Sequence, residues 1–135
     1  MYEYHGWVTI QVSADESEPD GLLDRAVERV GRLVREFAAP GLVDLRWANG
    51  VPVLHLGGVL KRPSTLGPEL IRLFARVGEL APGSYGLLYV LDDEDFGHDN
   101  EFRVYRMARG QVTERADPFL TPVVPTILED VYADA

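Results

Sequence analysis

Residues 91 to 102, LDDEDFGHDNEF, place six carboxylates in twelve positions with no lysine or arginine among them. Like charges held this close repel, so a loop carrying them is expected to meet something positive. Four readings are open: a metal ion, a catalytic acid and base, a basic macromolecule, or solubility alone. A calcium loop of the EF-hand type needs oxygen ligands at positions 1, 3 and 5, glycine at 6 and glutamate at 12. Setting Gly97 at position 6 puts Phe96 at 5 and Arg103 at 12, so that pattern fails and no metal site is expected. An acid and base pair needs surroundings that drive two carboxyl pKa values apart, which a polar loop tip does not provide.

Other chemistry-bearing residues are scattered. His5, His55 and His98 show no metal-ligand spacing, and two of them fall on expected strands. His5, on the same strand face as Trp7, is the best placed of the three for chemistry. Gly83-Ser84-Tyr85-Gly86 is not a nucleophile elbow, and Gly57-Gly58 lacks the context of a phosphate loop. The absence of cysteine removes thiolate nucleophiles, disulfides and cysteine-ligated zinc. No catalytic residue and no cofactor are expected, and the chain reads as a non-enzyme.

At 135 residues the chain is the size of one domain with its own core. Net charge of −9 argues against DNA or RNA as partner, because nucleic-acid affinity comes largely from cations neutralising phosphates. No apolar run reaches membrane-spanning length, and MYEYHGWVTI alternates like a strand and not like a secretory signal. A soluble, cytoplasmic protein is expected, monomeric by default.

The positioning elements follow from periodicity. Tyr4, Gly6, Val8, Ile10 and Val12 alternate with His5, Trp7, Thr9 and Gln11, which predicts a strand over 3–12. Leu23, Val27, Val30, Val34 and Phe37 form a helical stripe over about 21–38, with Asp20 as N-cap and Ala39-Pro40-Gly41 as the stop. Asn49-Gly50 between apolar runs predicts a hairpin. Ser64 or Thr65 caps a second helix striped by Leu66, Leu70, Leu73, Val77 and Leu80, ended by Ala81-Pro82-Gly83. SYGLLYVL reads as a central strand, FRVYRMA as its successor across the acidic stretch, and QVTER as a short edge strand after Arg109-Gly110. Trp7 and Trp47, on strands facing helices, read more readily as core than as contact anchors. The order βαββαβββ predicts an α+β two-layer sandwich, a mainly antiparallel sheet of about six strands with two helices on one face. The domain spans 1–135, with the proline-rich 116–135 an extended C-terminal strap over the body.

The two ends of the chain carry a resemblance. Tyr4-His5-Gly6-Trp7, Arg109-Gly110, Asp117 through Pro122 and Glu129-Asp130, with the helix and strand segments between them, resemble immunity protein family seven of bacterial polymorphic toxin systems. The resemblance implies a cytoplasmic protein that binds and neutralises a cognate toxin domain without catalysis. A toxin attacking nucleic acid presents a basic cleft, and a concentrated acidic loop would steer encounter with it and complete charge pairs. The expected toxin-binding residues are Asp92, Asp93, Glu94, Asp95, Phe96, His98, Asp99 and Glu101, at the tip of the hairpin between the fourth and fifth strands. Phe96 is there either as apolar anchor or packed on the hairpin. The competing reading is a small ligand-binding domain or enzyme with a site near His5 and Trp7.

Overall fold

The computed structural model describes residues 1–13, 21–37, 39–62, 65–98 and 100–119. Six strands and two helices follow in the order β1 (Tyr2–Thr9), α1 (Leu22–Phe37), β2 (Leu42–Ala48), β3 (Val51–Leu60), α2 (Leu66–Leu80), β4 (Tyr85–Asp92), β5 (Phe102–Ala108) and β6 (Gln111–Asp117). They form a sheet of order β2-β3-β1-β4-β5-β6 in which every neighbouring pair is antiparallel. This is the α+β architecture expected from the order of elements, with β4 internal as its doubly apolar sequence requires.

The strand period of two sorts each strand into two faces. Tyr2, Tyr4 and Val8 of β1, Leu54 and Leu56 of β3, Leu88 and Val90 of β4 and Met107 of β5 point to one side. There they join Ala26, Val27, Val30 and Val34 of α1 and Leu70, Leu73, Phe74 and Val77 of α2 in one core. Both helices therefore cover the same face. Phe74, wholly buried, lies beside the expected stripe of α2 and widens it. Among the described residues no helix is long and apolar enough to cross a membrane.

Two hairpin turns set register. Asn49 and Gly50 have φ of 52° and 77°, and Arg109 and Gly110 have φ of 50° and 73°. Two successive positive φ values make the tight turn whose twist matches the flanking strands. The second turn is also where α2 docks. A Cβ on Gly78 would collide with the Gly110 carbonyl oxygen, so helix and turn touch backbone to backbone.

Several expectations are corrected. The first strand ends at Thr9 and not at residue 12. Ile10 still donates to the Pro52 carbonyl at 3.0 Å, but Gln11 turns to the start of β4, its N–H on Ser84 Oγ at 3.1 Å and its carbonyl accepting from Gly83 at 2.9 Å. Thr65 occupies the N-cap of α2 without a side-chain capping bond, while Asp20 and Ser64 lie outside the described residues. β6 extends through Ala116 and Asp117, the first two residues of the expected strap. Pro118 and Phe119 follow it as a turn, and the rest of that segment, 120–135, lies outside the described residues.

Neither tryptophan is core. Trp7 alternates with Tyr4 and Val8 and so faces away from the helices, half-buried, its ring edge-on to Tyr85 at 6.0 Å. Trp47 pairs with Pro52 and faces the helix side, yet it is 47% exposed because β2 is an edge, with no further strand beside it among the described residues.

Candidate functional site: the acidic β4–β5 loop

The acidic stretch leaves β4 at Asp92 and re-enters the sheet at Phe102. Between them the chain makes two successive turns, with Asp95 N–H donating to the Asp92 carbonyl at 3.1 Å and His98 N–H to the Asp95 carbonyl at 3.0 Å. The Asp92 carboxylate accepts from the Glu94 N–H at 3.0 Å, the local bond that makes aspartate a turn former. Gly97, at φ +85°, supplies the left-handed step that sends the chain back.

These turns divide the expected site residues into two groups. Asp93, Glu94 and Phe96 are exposed, and Phe96 is 100% accessible. The phenyl ring therefore does not pack on the hairpin. Asp92, Asp95, His98 and Glu101 are half-buried and turn toward a cleft of about 420 Å³ between the loop, the start of α2 at Gly67 and Pro68, and the helix-side residues Tyr2, Arg103, Tyr105 and Glu114. Asp99 lies outside the described residues.

The stretch is not left without cations, which corrects the reading of an unanswered cluster. Arg103, one residue into β5, donates from Nε to Asp95 Oδ2 at 3.1 Å and from its terminal guanidinium nitrogen to Glu114 Oε1 at 2.8 Å. The N-terminal ammonium of Met1 meets Asp93 Oδ1 at 2.8 Å, while the Met1 carbonyl accepts from the Asp93 N–H at 3.2 Å. His98 Nδ1 lies 2.7 Å from Glu101 Oε1. A linear count missed the first two because one cation follows the stretch and the other begins the chain. Asp93 reaches Met1 because β1 and β4 pair with Tyr2 opposite Asp92. The Glu114 contact could have been anticipated from the Arg109-Gly110 turn, which sets Tyr105 opposite Glu114 and leaves Arg103 one diagonal away.

Two tyrosines form the apolar floor of the cleft. Burial raises the Tyr2 hydroxyl pKa, with Tyr105 and Asp92 adding to the effect, and burial likewise raises that of Tyr105, with Glu114 adding to it. The Tyr2 hydroxyl reaches the Gly67 carbonyl only at 3.5 Å. Both phenols stay neutral and serve as packing surface with a polar tip.

His5 and Trp7 are elsewhere. They share the helix-free face of the sheet with His55, the cross-strand neighbour of Trp7, and His5 is held by Glu3 at 3.0 Å. The structure does not bring them to the acidic loop. Among the described residues no group of three or more His, Asp or Glu converges as a metal site would.

Among the described residues the loop thus presents to solvent Glu94, a bare phenyl ring and Asp93, the last paired to the Met1 ammonium, on a base tied down by Arg103. Such a surface can bind a cationic partner. Comparison with curated proteins and with solved structures gives no match. At the level of families there is a match: over residues 1–129 the chain matches the model of Immunity protein 7, and it belongs to that family.

Proposed function

We propose that this protein neutralises a cognate toxin domain by stoichiometric, non-catalytic binding, and that the outward side of the β4–β5 loop, Asp93, Glu94 and Phe96, is part of the contact surface. The toxin domain would offer a basic surface, as a nuclease cleft does. Family membership supports the immunity role. The observation that carries the loop assignment is Phe96, fully exposed between Asp95 and Gly97 and next to exposed carboxylates. Leaving a phenyl ring in water forgoes about 2 kcal/mol that burial would recover, and nothing in the loop's own turns requires a phenyl there. Aromatic residues are enriched at the core of interfaces, inside a polar rim.

The half-buried carboxylates act differently. Asp92 and Asp95 shape the turns, and Asp95 is bound to Arg103, so neutralising Asp92, Asp93, Glu94 and Asp95 together would disturb the loop as well as its charge. A cleaner test uses Phe96→Ala and Glu94→Gln against the cognate toxin domain. Phe96→Ala is expected to weaken binding by about 2 kcal/mol, chiefly through faster dissociation. Glu94→Gln is expected to slow association and flatten its salt dependence. If both variants bind with wild-type kinetics at low and high salt, the interface lies on another face.

A further inference from the structure

We propose that the β2 edge is a self-association surface, at which two copies of this chain pair antiparallel about Leu45 into one continuous sheet. The proposal concerns the end of the sheet opposite β5 and β6 and does not depend on the function of the acidic loop.

An edge strand offers a row of backbone donors and acceptors to any strand that fits, and proteins usually blunt such edges with lysine, proline or bulges. β2, LVDLRWA, has no lysine, proline or bulge, and its two charged residues, Asp44 and Arg46, are of opposite sign. It leaves Leu42 58% and Trp47 47% exposed, an apolar edge that water solvates poorly.

The sequence of β2 is complementary to its own reverse. With Leu45 on a twofold axis, Asp44 faces Arg46 of the second copy and Arg46 faces its Asp44, while Val43 faces Trp47. Asp44 and Arg46 already pair within one chain at 3.1 Å on the helix-free face, so the dimer would carry four charges alternating in sign. Opposite charges across antiparallel strands favour the pairing and like charges oppose it. Moving the axis to Val43 would set Arg46 opposite Pro40, and moving it to Trp47 would set Asp44 opposite Gly50, so neither alternative keeps the charge pairs.

A cavity matches the exposed tryptophan. Between α1 and β2 runs a groove of about 440 Å³ lined by Gly31, Val34, Arg35, Val43 and Leu45, among others. It exists in part because residue 31 is glycine, where a Cβ would lie 3.5 Å from the Leu45 side chain and 3.2 Å from Arg35. The twofold keeps the helices of both copies on one side of the joined sheet. Trp47 of the second copy, opposite Val43 on that side, is then directed at this groove, with Arg35 available to stack on the indole. Each copy gives one tryptophan and one groove, as a closed isologous interface requires.

Sedimentation equilibrium of the full chain from micromolar to millimolar concentration tests this. The mass is expected to rise from 15.1 kDa toward twice that value. Asp44→Arg alone or Arg46→Asp alone sets like charges opposite each other and is expected to weaken association at least about tenfold. The double variant Asp44→Arg/Arg46→Asp restores opposite signs and is expected to associate as the unaltered chain does. Trp47→Ser, which leaves both charges in place, is expected to weaken association too. Circular dichroism confirms that each variant is folded. A mass of 15.1 kDa at every concentration overturns the proposal. So does association that neither single reversal nor Trp47→Ser weakens, or a folded double variant that does not recover.

Discussion

Arg103 Nε stands 3.1 Å from Asp95 Oδ2 while the other end of the same guanidinium holds Glu114 at 2.8 Å, so one side chain ties the acidic loop to the edge strand β6. Its side chain is 28% exposed, enough for water to screen the pairs but not to dissolve them. Arg103→Gln is expected to destabilise the fold by about 1 kcal/mol in urea titration, since half-exposed ion pairs contribute little individually and more as a network. A double-mutant cycle with Asp95→Asn should give a coupling of about 0.5 kcal/mol. A coupling of zero would mean the loop is positioned by its turns alone.

Tyr4 and Gly58 form the tightest side-chain contact over a glycine. A Cβ at Gly58 would lie 2.7 Å from the Tyr4 hydroxyl and 2.9 Å from its ring carbon Cζ. Gly58→Ala is expected to cost about 1–3 kcal/mol by overpacking. The buried Tyr4 hydroxyl lies outside hydrogen-bonding geometry, and burial raises its pKa, an effect the Gly41 backbone offsets only in part. Tyr4→Phe is therefore expected to be neutral or to stabilise by up to about 1 kcal/mol, because it removes a polar group desolvated without full return. Gly58→Ala should cost less in the Tyr4→Phe background. Thermal melts of the four proteins decide it, and a Tyr4→Phe variant losing more than the Gly58→Ala variant would refute this account.

At the β5–β6 turn Arg109 holds φ of 50°, a left-handed conformation that asparagine tolerates better than arginine. Arg109→Asn reproduces the Asn-Gly pair of the β2–β3 turn and is expected to add about 0.5–1 kcal/mol of stability. The check is the urea midpoint at constant slope. A lower midpoint would show that the arginine side chain makes a contact worth more than the backbone strain.

Alkaline pH should unfold the protein through its buried tyrosines. Burial holds the Tyr2 phenol above its ordinary pKa of 10.0, with Tyr105 and Asp92 contributing further. A folded-state pKa above the unfolded value means the native state keeps its proton longer. The stabilisation is complete below about pH 10, where both states are protonated, and is lost as pH rises beyond the unfolded tyrosine's pKa toward the folded one. Stability measured by urea unfolding at pH 8, 10 and 11 is expected to fall over the last interval, and Tyr2→Phe should make that fall shallower. An equal fall in both proteins would assign the alkaline transition to other groups.

The sequence by itself determined the elements and their class. Period two in β1, the helical stripes of α1 and α2, and the Asn49-Gly50 and Arg109-Gly110 turns are local signals, written in residues a few positions apart, and local hydrogen bonding acts on them before any long-range contact forms. The hairpin that displays the acidic stretch was legible for the same reason. What only the tertiary structure decided is which residues share a neighbourhood across long stretches of chain. β1 inserts between β3 and β4, and this alone brings the Met1 ammonium to Asp93. The same packing leaves β2 at an edge and Trp47 half in water, although its apolar sequence reads as core. Within the loop, the period of the chain could not separate the outward Glu94 and Phe96 from the inward Asp95 and His98, because turns have no fixed period. Their directions follow from hydrogen bonds to Asp92 and Asp95 and from the pull of Arg103, whose guanidinium needs two carboxylates that only the folded sheet holds within its reach.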